Sequence, residues 1–582
     1  MEKIKQLILE ENYQEAGDAF FEYVEEHGLD EQLSIYGATI ALRLGQPELA
    51  YLYIREGLKL NPGNYELYVC LGDYYLNDNV NQAYLCYENA FFHCEKQLGK
   101  DSEDAVAIYG LMEELKPSVT VVPASIVILS WNTLEMTKAC VESIKNTCYR
   151  DAYELVLIDN ASQDGSADYI KGLSGECVIA LNDENKGFAG GCNQGISIAS
   201  KENDIFLLNS DTEMMPNALF LMRLGLYEND KIGAVGAMSN YVSNFQMVEE
   251  PILTPQKAYD YSLGFNLPDL HAKEQKDYLV GFAELVRRKT MDTIGGLDDE
   301  YKLGNYEDND LGIRVLKAGY QNVLLHNVFI FHWGSESFHK NKVDMMETMV
   351  KNSELFRQKW GISPTYYGMM RMELMDFFPE NKETPLEILE FGCGAGGTLC
   401  HLDYLYPNAN VHGLEIVEEA AHMGALKCDI RVCDVEKDPI PYEEHSMDYI
   451  ILADVVEHLR DTDGFMEKVK SFLKPGGKIV VSLPNLMNAR VIYNLLHGVF
   501  QYEDAGILDR THLKFFTLQQ IFELMAKHGF QIDNLRNMIL ESDSTKSPQL
   551  QGFFDELTAI EGVASREQFD VYQYVFCAAL KS

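Results

Sequence analysis

An apolar run, Ile205–Leu208, turns within a few residues into Asn209, Ser210, Asp211 and Glu213. A carboxylate at the end of a core strand stands where open α/β sheets hold their ligands, so Asp211 could grip a bound group. The alternative is that it caps the next turn or helix. Other strand-like runs end in the same way. Ser130 and Asn132 close SIVILSWN, and Asp159 and Asp164 lie in LIDNASQDGS. NDENKGFAGGCNQG carries Asn185, Gly187, Asn193 and further glycines, spaced so that backbone can approach a ligand closely. NYEDNDLGIRV sets Glu307, Asp308 and Asp310 before a helix with Leu311 and Val315 on one face, where acidic residues also complement the helix dipole. Several such ends aimed at one edge form a constellation with a nucleotide-sized task.

A second set follows. EFGCGAGGT satisfies the dinucleotide pattern G-x-G-x-x-G, a weak signal by itself. Glu390 before Gly392, Gly394 and Gly396 gives instead E-x-G-x-G-x-G. GLEI then ends a strand with Glu415 where a ribose diol could be gripped, and RVCDVE offers Asp434 near an adenine amino group. Asp454 and His458 lie in ADVVEHL and His512 in LDRTHLKFFT. Each histidine is a candidate base, the alternative being structural hydrogen bonding.

These residues need scaffolds. Ala16, Ala50 and Ala83 recur at intervals of 34 and 33 residues, followed four positions later by Phe20, Ile54 and Tyr87. Small residues where helices cross, with a large residue one turn on, are what stacked helical hairpins require. LKLNPGN and LYVCLGDYY supply the Pro between repeats and the Leu71-Gly72 and Tyr75 of the next helix. From Ser125, SIVILSWN, ELVLIDN, CVIALN and DIFLLNSD alternate with helical stretches, as βα units on a mostly parallel sheet do. A second βα series, LEILEFGCG, NVHGLEI, MDYIILAD and GGKIVVSLP, begins near Leu386. The fold class is multidomain: an α-helical repeat domain over 1–118, an α/β domain over 123–360, a linker over 361–385 and a Rossmann-like α/β domain over 386–582.

The chain has 582 residues, 46% apolar and 24% charged, which is ordinary globular composition. Its net charge of −42 argues against a nucleic-acid partner, which requires Lys and Arg to displace counterions. No apolar run approaches the roughly 20 residues of a membrane span. The acidic, amphipathic N-terminus is not a signal peptide, so the expectation is a cytoplasmic protein that is not integral to a membrane. Twelve cysteines without a C-x-x-C pair read as reduced core thiols.

The N-terminal pattern resembles a tetratricopeptide repeat array, which implies a platform for a protein acceptor; the alternative is a packing or dimerisation domain, as in a homodimer. SIVILSWN, LVLIDNASQDGS, NKGFAGGCNQG, LLNSDTEM, GGLDDEY, NYEDNDLGIR and HWGSESF, in that order, resemble family 2 glycosyltransferases of the GT-A fold, of the rhamnosyltransferase-like kind. The resemblance implies inverting transfer from a UDP- or dTDP-linked sugar nucleotide. NSD stands at the family's metal-binding D-x-D motif, so Asp211 would bind Mg²⁺ or Mn²⁺ with His332, Asn209 leaving one charge fewer. Asp308 would be the base, with Glu307 as the alternative, and Asp159 would hold the nucleotide. The remaining motifs, with FLKPGGKIVVSLPN, resemble class I S-adenosylmethionine-dependent methyltransferases, which implies S-adenosylmethionine across the glycine loop and on Glu415. The whole then reads as a bifunctional bacterial enzyme that glycosylates a protein, flagellin by analogy, or a cell-surface glycan, and methylates the sugar. The rival reading is a scaffold or binding protein with one or both enzyme domains inactive or regulatory. Retention of Asp211, Glu307, Asp308, His332, Glu390 and Glu415 counts against it.

Overall fold

Alanines at helix crossings produce the expected hairpins. Helices α1 (Glu2–Leu9) and α2 (Tyr13–His27), α3 (Glu31–Arg43) and α4 (Pro47–Leu60), and α5 (Tyr65–Tyr75) and α6 (Val80–Leu98) pair in turn, and α7 (Glu103–Leu115) packs on α6. Ala16, Ala50 and Ala83 are wholly buried, as are Phe20, Ile54 and Tyr87 to within a per cent. Gly72 shows why the crossing must be small: a Cβ there would lie 2.3 Å from Cε1 of Tyr87. Asp30 and Asn64 cap α3 and α5, each accepting a backbone N–H at 2.8 Å. These helices fit a repeat array. The computed structural model describes every residue except Ser243, Leu303, 335–344, Pro364, Thr365, Tyr367, 541–547 and Ser582, so Ser335–Phe338 of HWGSESF lie outside the described residues. The chain divides into two compact units, Met1–Lys359 and Trp360–Ser582.

Within the first unit the hairpins pack against helix Ala218–Leu226, every residue of which is buried. Arg223 forms a buried ion pair with Glu88 and donates to the Val122 carbonyl (3.2 Å). Gln82 donates to Leu224 O (3.1 Å), Asn79 to Tyr227 O (3.1 Å) and Glu228 O (2.8 Å), and Asn217 to the Tyr68 hydroxyl (2.9 Å). This face of the repeats therefore serves packing within the chain.

Strands β1 (Ala124–Ser130), β2 (Tyr153–Asp159), β3 (Val178–Leu181), β4 (Asp204–Leu208), β5 (Thr212–Glu213), β6 (Ile232–Met238), β7 (Lys273–Lys276), β8 (Ala283–Val286), β9 (Gln321–Phe329) and β10 (Phe331–His332) follow. Eight of them form one sheet in the order β3-β2-β1-β4-β8-β6-β9-β7. The first four run parallel and β8 lies antiparallel between β4 and β6. Both faces are covered, which is why β4 is apolar along its length. β5 and β10 make a separate antiparallel pair, His332 opposite Thr212.

The second unit is a seven-stranded sheet of β11 (Glu387–Phe391), β12 (Asn410–Glu415), β13 (Asp429–Val432), β14 (Met447–Ala453), β15 (Leu473–Pro484), β16 (Phe530–Met538) and β17 (Gln573–Leu580). Their order is β13-β12-β11-β14-β15-β17-β16, with β17 antiparallel to its neighbours. Part of the segment read as a linker packs here: Leu374, Met375, Phe377 and Phe378 share a core with Leu386, Ile388 and Val575. Both α/β sheets follow the βα grammar of the sequence.

Removing one partner of a buried ion pair costs about 3–5 kcal/mol, whereas replacing both with apolar residues costs much less. Arg223→Met should therefore lower the stability of the first unit by about that amount. The double variant with Glu88→Leu should recover most of it in chemical unfolding. Additive losses in the double variant would show that the pair does not hold the repeats in place.

Candidate functional sites

At the C-terminal edge of the first sheet, β4 ends and the chain passes through Asn209 and Ser210 to Asp211. The β5–β10 pair brings His332 to it: His332 Nε2 lies 3.2 Å from Asp211 Oδ1, both residues being buried. Trp333 N donates to Asp211 O (2.9 Å), and Asn240 holds the His332 backbone by accepting from its N–H (2.9 Å) and donating to its carbonyl (3.0 Å). His332 stacks on Phe282. Its Nδ1 lies 2.7 Å from the Tyr241 carbonyl. A carbonyl only accepts, so in the neutral ring Nδ1 carries the hydrogen and Nε2 presents a lone pair to the carboxylate. Two lone-pair donors facing each other, one of them oriented by a backbone carbonyl, fit a divalent cation. The helix that Asp211 could have capped starts instead after Asn217.

Around this edge, Asp159 is buried, accepts from Ser162 N (3.0 Å) through Oδ2 and leaves Oδ1 without a partner among the described residues. That oxygen suits an N–H or O–H of a nucleotide. Asn160, which the sequence reading passed over, donates to Asn185 (2.7 Å) and accepts from Lys186 N (3.0 Å), while Asn185 also accepts from Gly187 N (2.8 Å). Asn132 joins the loops after β1 and β2 by accepting from Gln163 N (2.8 Å). Two expected ligand residues are engaged internally. The Ser130 hydroxyl lies within a buried cluster with Thr133 and Thr137, and Asn193 exchanges both amide bonds with the Leu297 backbone (2.7 and 2.8 Å).

The Glu307–Asp308 pair opens helix Glu307–Lys317 after two left-handed residues, Asn305 (φ 72°) and Tyr306 (φ 75°). Such backbone is strained for non-glycine residues, and buried Asn352 clamps it by donating to the Gly304 (2.9 Å) and Asn305 (3.0 Å) carbonyls. Burial, then the Asp308 charge, pushes Glu307 well above the ordinary carboxylate range. Burial also raises Asp308, but it accepts from Gly281 N (3.2 Å) and Asn309 N (2.8 Å), which favour its ionised form and leave the proton on Glu307. Glu284 on β8 is wholly buried with neither oxygen partnered among the described residues, and burial with the Asp308 charge raises it strongly. Asp310 is tied to Arg314 (2.8 Å) and Lys359 (2.6 Å).

In the second unit Gly392, Gly394 and Gly396 are all left-handed (φ 68°, 55° and 81°), the conformation that requires glycine along this loop. Gly394 N donates to Glu415 Oε2 and Val417 N to Oε1, both at 2.8 Å, so the carboxylate is oriented with lone pairs to spare for a diol. Glu390 beside the loop is buried with Oε2 unpartnered among the described residues, and burial pushes it up to about 8. This cradle fits the ribose of S-adenosylmethionine. Asp454 is committed to Arg371 (2.7 Å), Ser482 (3.0 Å) and Gln573, and Asp434 to Lys437 (2.5 Å), whose hydrogen bond lowers it. Arg371 lay in the stretch read as a linker, where nothing marked it. His458 and His512 lie ring against ring, centroids 4.8 Å apart, and burial followed by His512 lowers His458.

Residues 125–291 match the family model described as Glycosyl transferase family 2, and residues 367–535 match that described as Methyltransferase domain. The mitochondrial ubiquinone biosynthesis O-methyltransferase of Rattus norvegicus is 25% identical over 167 residues, covering 26% of this chain and 47% of that protein. The chain spans about half the length of the first curated relatives it matches. Among solved structures, a mannosyltransferase from Pyrobaculum calidifontis in complex with GDP-Man and Mn²⁺ is 15% identical, with TM-score 0.31 over 48% of this chain and 77% of its own. A SAM-dependent methyltransferase from Archaeoglobus fulgidus is 17% identical, with TM-score 0.27 over 39% of this chain and 98% of its own. The two family matches fall on the two sheets in turn, and on that ground the chain joins a family 2 glycosyltransferase domain to a methyltransferase domain.

Proposed function

We propose that the first unit transfers a sugar from a nucleotide-diphosphate donor to a hydroxyl of a protein or glycan, and that the second methylates a hydroxyl of that sugar. The observation that carries the first half is the His332 Nε2 held 3.2 Å from Asp211, with Nδ1 turned to the Tyr241 carbonyl. A divalent cation, Mg²⁺ or Mn²⁺, bound there would neutralise the charge that grows on a diphosphate leaving group. Asp159 Oδ1 would accept from the nucleotide. Asp308, kept ionised by two backbone N–H groups, would take the acceptor's proton, and Glu307, kept neutral by burial, would spare it a second adjacent charge. In the second unit S-adenosylmethionine would supply a methyl group on an electron-poor sulfonium, and Glu415 would hold the ribose hydroxyls through lone pairs left free by Gly394 and Val417.

Asp211→Asn should abolish donor hydrolysis and transfer, and exhaustive chelation should do the same until Mn²⁺ or Mg²⁺ is restored. Full turnover by a metal-free protein would overturn this reading.

Asp308→Asn should leave donor affinity within a few-fold and lower kcat by about 10²–10⁴. Glu307→Gln, which keeps the neutral form, should be the milder change. A base must be deprotonated and burial raises its pKa, so the rate should fall with falling pH through a midpoint above the ordinary Asp value of about 4. An acid limb below that value, or a crippling Glu307→Gln beside a mild Asp308→Asn, reverses the assignment.

Glu415→Gln should weaken S-adenosylmethionine binding by about tenfold or more in calorimetry, the loss of a charge-assisted hydrogen bond. Acceptor isolated with this variant should carry unmethylated sugar in mass spectrometry. Acceptor isolated with Asp308→Asn should carry neither group. Undiminished methylation of unglycosylated acceptor would show that the two reactions are unrelated.

A further inference from the structure

Two backbone hydrogen bonds, Leu513 N and Lys514 N to Glu457 O (2.9 and 3.0 Å), draw the RTHL segment onto the turn after β14. They set His512 beside His458, and one ligand atom each from Glu457, His458 and His512 lies within 4.8 Å of the others. The partners of each Nδ1 decide the tautomers. His512 Nδ1 is 3.0 Å from the Ile507 carbonyl and His458 Nδ1 is 3.3 Å from that of Thr511. Thr511 Oγ1 donates to Asp509 (2.6 Å), so at His458 Nδ1 (3.2 Å) it too accepts. Both Nδ1 atoms therefore carry the hydrogen in the neutral rings, and both Nε2 atoms present lone pairs.

Glu457 completes the set. It is 1% exposed, and neither carboxylate oxygen has a partner among the described residues. In the neutral rings two imidazole lone pairs join an unpartnered carboxylate in one cluster. Glu457 and His512 are buried and His458 half-buried, and such a set is costly unless a proton or a cation sits within it. Backbone carbonyls orienting the far side of each imidazole are the usual second layer of a metal site.

We propose that Glu457, His458 and His512 bind a divalent first-row transition cation in the methyltransferase unit. Two imidazoles and one carboxylate favour Mn²⁺, Fe²⁺, Co²⁺ or Zn²⁺ over Mg²⁺ or Ca²⁺, which prefer all-oxygen sets. Three protein ligands leave open positions. If the second unit methylates a hydroxyl as proposed above, the ligand that completes the shell is an oxygen of the methyl acceptor, and the two histidines are metal ligands rather than bases. The cation site itself stands on its geometry whether or not that reading holds.

The test uses the full chain carrying Asp211→Asn, so that the first unit's candidate site does not contribute, stripped with a chelator and titrated with Co²⁺. The expected result is a visible d–d absorption band that saturates at a single equivalent and survives excess Mg²⁺. Glu457→Gln and His512→Gln should each weaken Co²⁺ binding at least about tenfold, about 1.4 kcal/mol. Far-UV circular dichroism and thermal unfolding check that each variant is folded, with His458→Gln as the substitute for one that is not. No Co²⁺ band in the Asp211→Asn chain, affinity unchanged in the folded variants, or displacement by Mg²⁺ would overturn the proposal.

Discussion

Carboxylates taken out of water are the constraint around which both α/β units are built. Glu284, Glu307, Glu390 and Glu457 are all buried, and each has an oxygen with no hydrogen-bond partner among the described residues. An ionised carboxylate in that position costs several kcal/mol, so it holds a proton or meets compensating positive charge. In a chain of net charge −42 acidic side chains outnumber basic ones, and Asp454 pairs with the Arg371 guanidinium (2.7 Å). Backbone N–H groups meet two neighbouring carboxylates, Asp308 and Glu415, instead. That requirement explains the left-handed backbone at Asn305 and Tyr306 and along Gly392, Gly394 and Gly396: these turns aim the carboxylates and the amides that meet them.

The helical hairpins take part in the same positioning from the far end of the sheet. Asn79 of α6 donates to the carbonyls of Tyr227 and Glu228, and the Tyr227 hydroxyl donates to Asp204 (2.7 Å), the first residue of β4. Arg288 N takes the other Asp204 oxygen (2.8 Å). β4 is thus fixed at its start by contacts that begin in the repeats, and its far end delivers Asp211 to His332. The buried Glu88–Arg223 pair joins α6 to helix Ala218–Leu226, and its net stabilisation is small because both charges leave water to form it.

Much of this was legible in the sequence because the signals are local. The alanine spacing requires only that neighbouring helices cross, and the apolar runs with polar ends require only that a parallel sheet put its C-terminal ends on one edge. The residues around Asp211, Glu307 and Glu415 follow from that topology. What escaped depends on contacts between segments far apart in the chain. Ser130 sits at a strand end like Asp159, yet Thr133 and Thr137 enclose its hydroxyl. Asn193 lies in the glycine-rich motif, yet its amide belongs to Leu297. Arg371 lies in an unpatterned stretch, and Glu284 is an acidic residue in a four-residue strand too short to show that both of its faces are covered. Glu457 was in view within ADVVEHL, but its meaning depends on two backbone bonds to Leu513 and Lys514, which no spacing rule reveals.

The partners of each buried carboxylate also separate two kinds of site that look alike in sequence. Glu415 accepts a backbone N–H on each oxygen, so its negative charge is already accommodated and its remaining lone pairs can receive hydroxyl hydrogens. A cation would gain little there that the amides do not already provide. Asp211 and Glu457 stand on the other side of this division. Asp211 faces one imidazole and Glu457 two, and each Nδ1 is turned to a backbone carbonyl, so in the neutral rings lone pair meets lone pair. That convergence of acceptors is relieved by a proton or by a cation between them. The carbonyls of Tyr241, Ile507 and Thr511 set the tautomers of these imidazoles, and on that ground the two proposed cation sites differ from the Glu415 cradle.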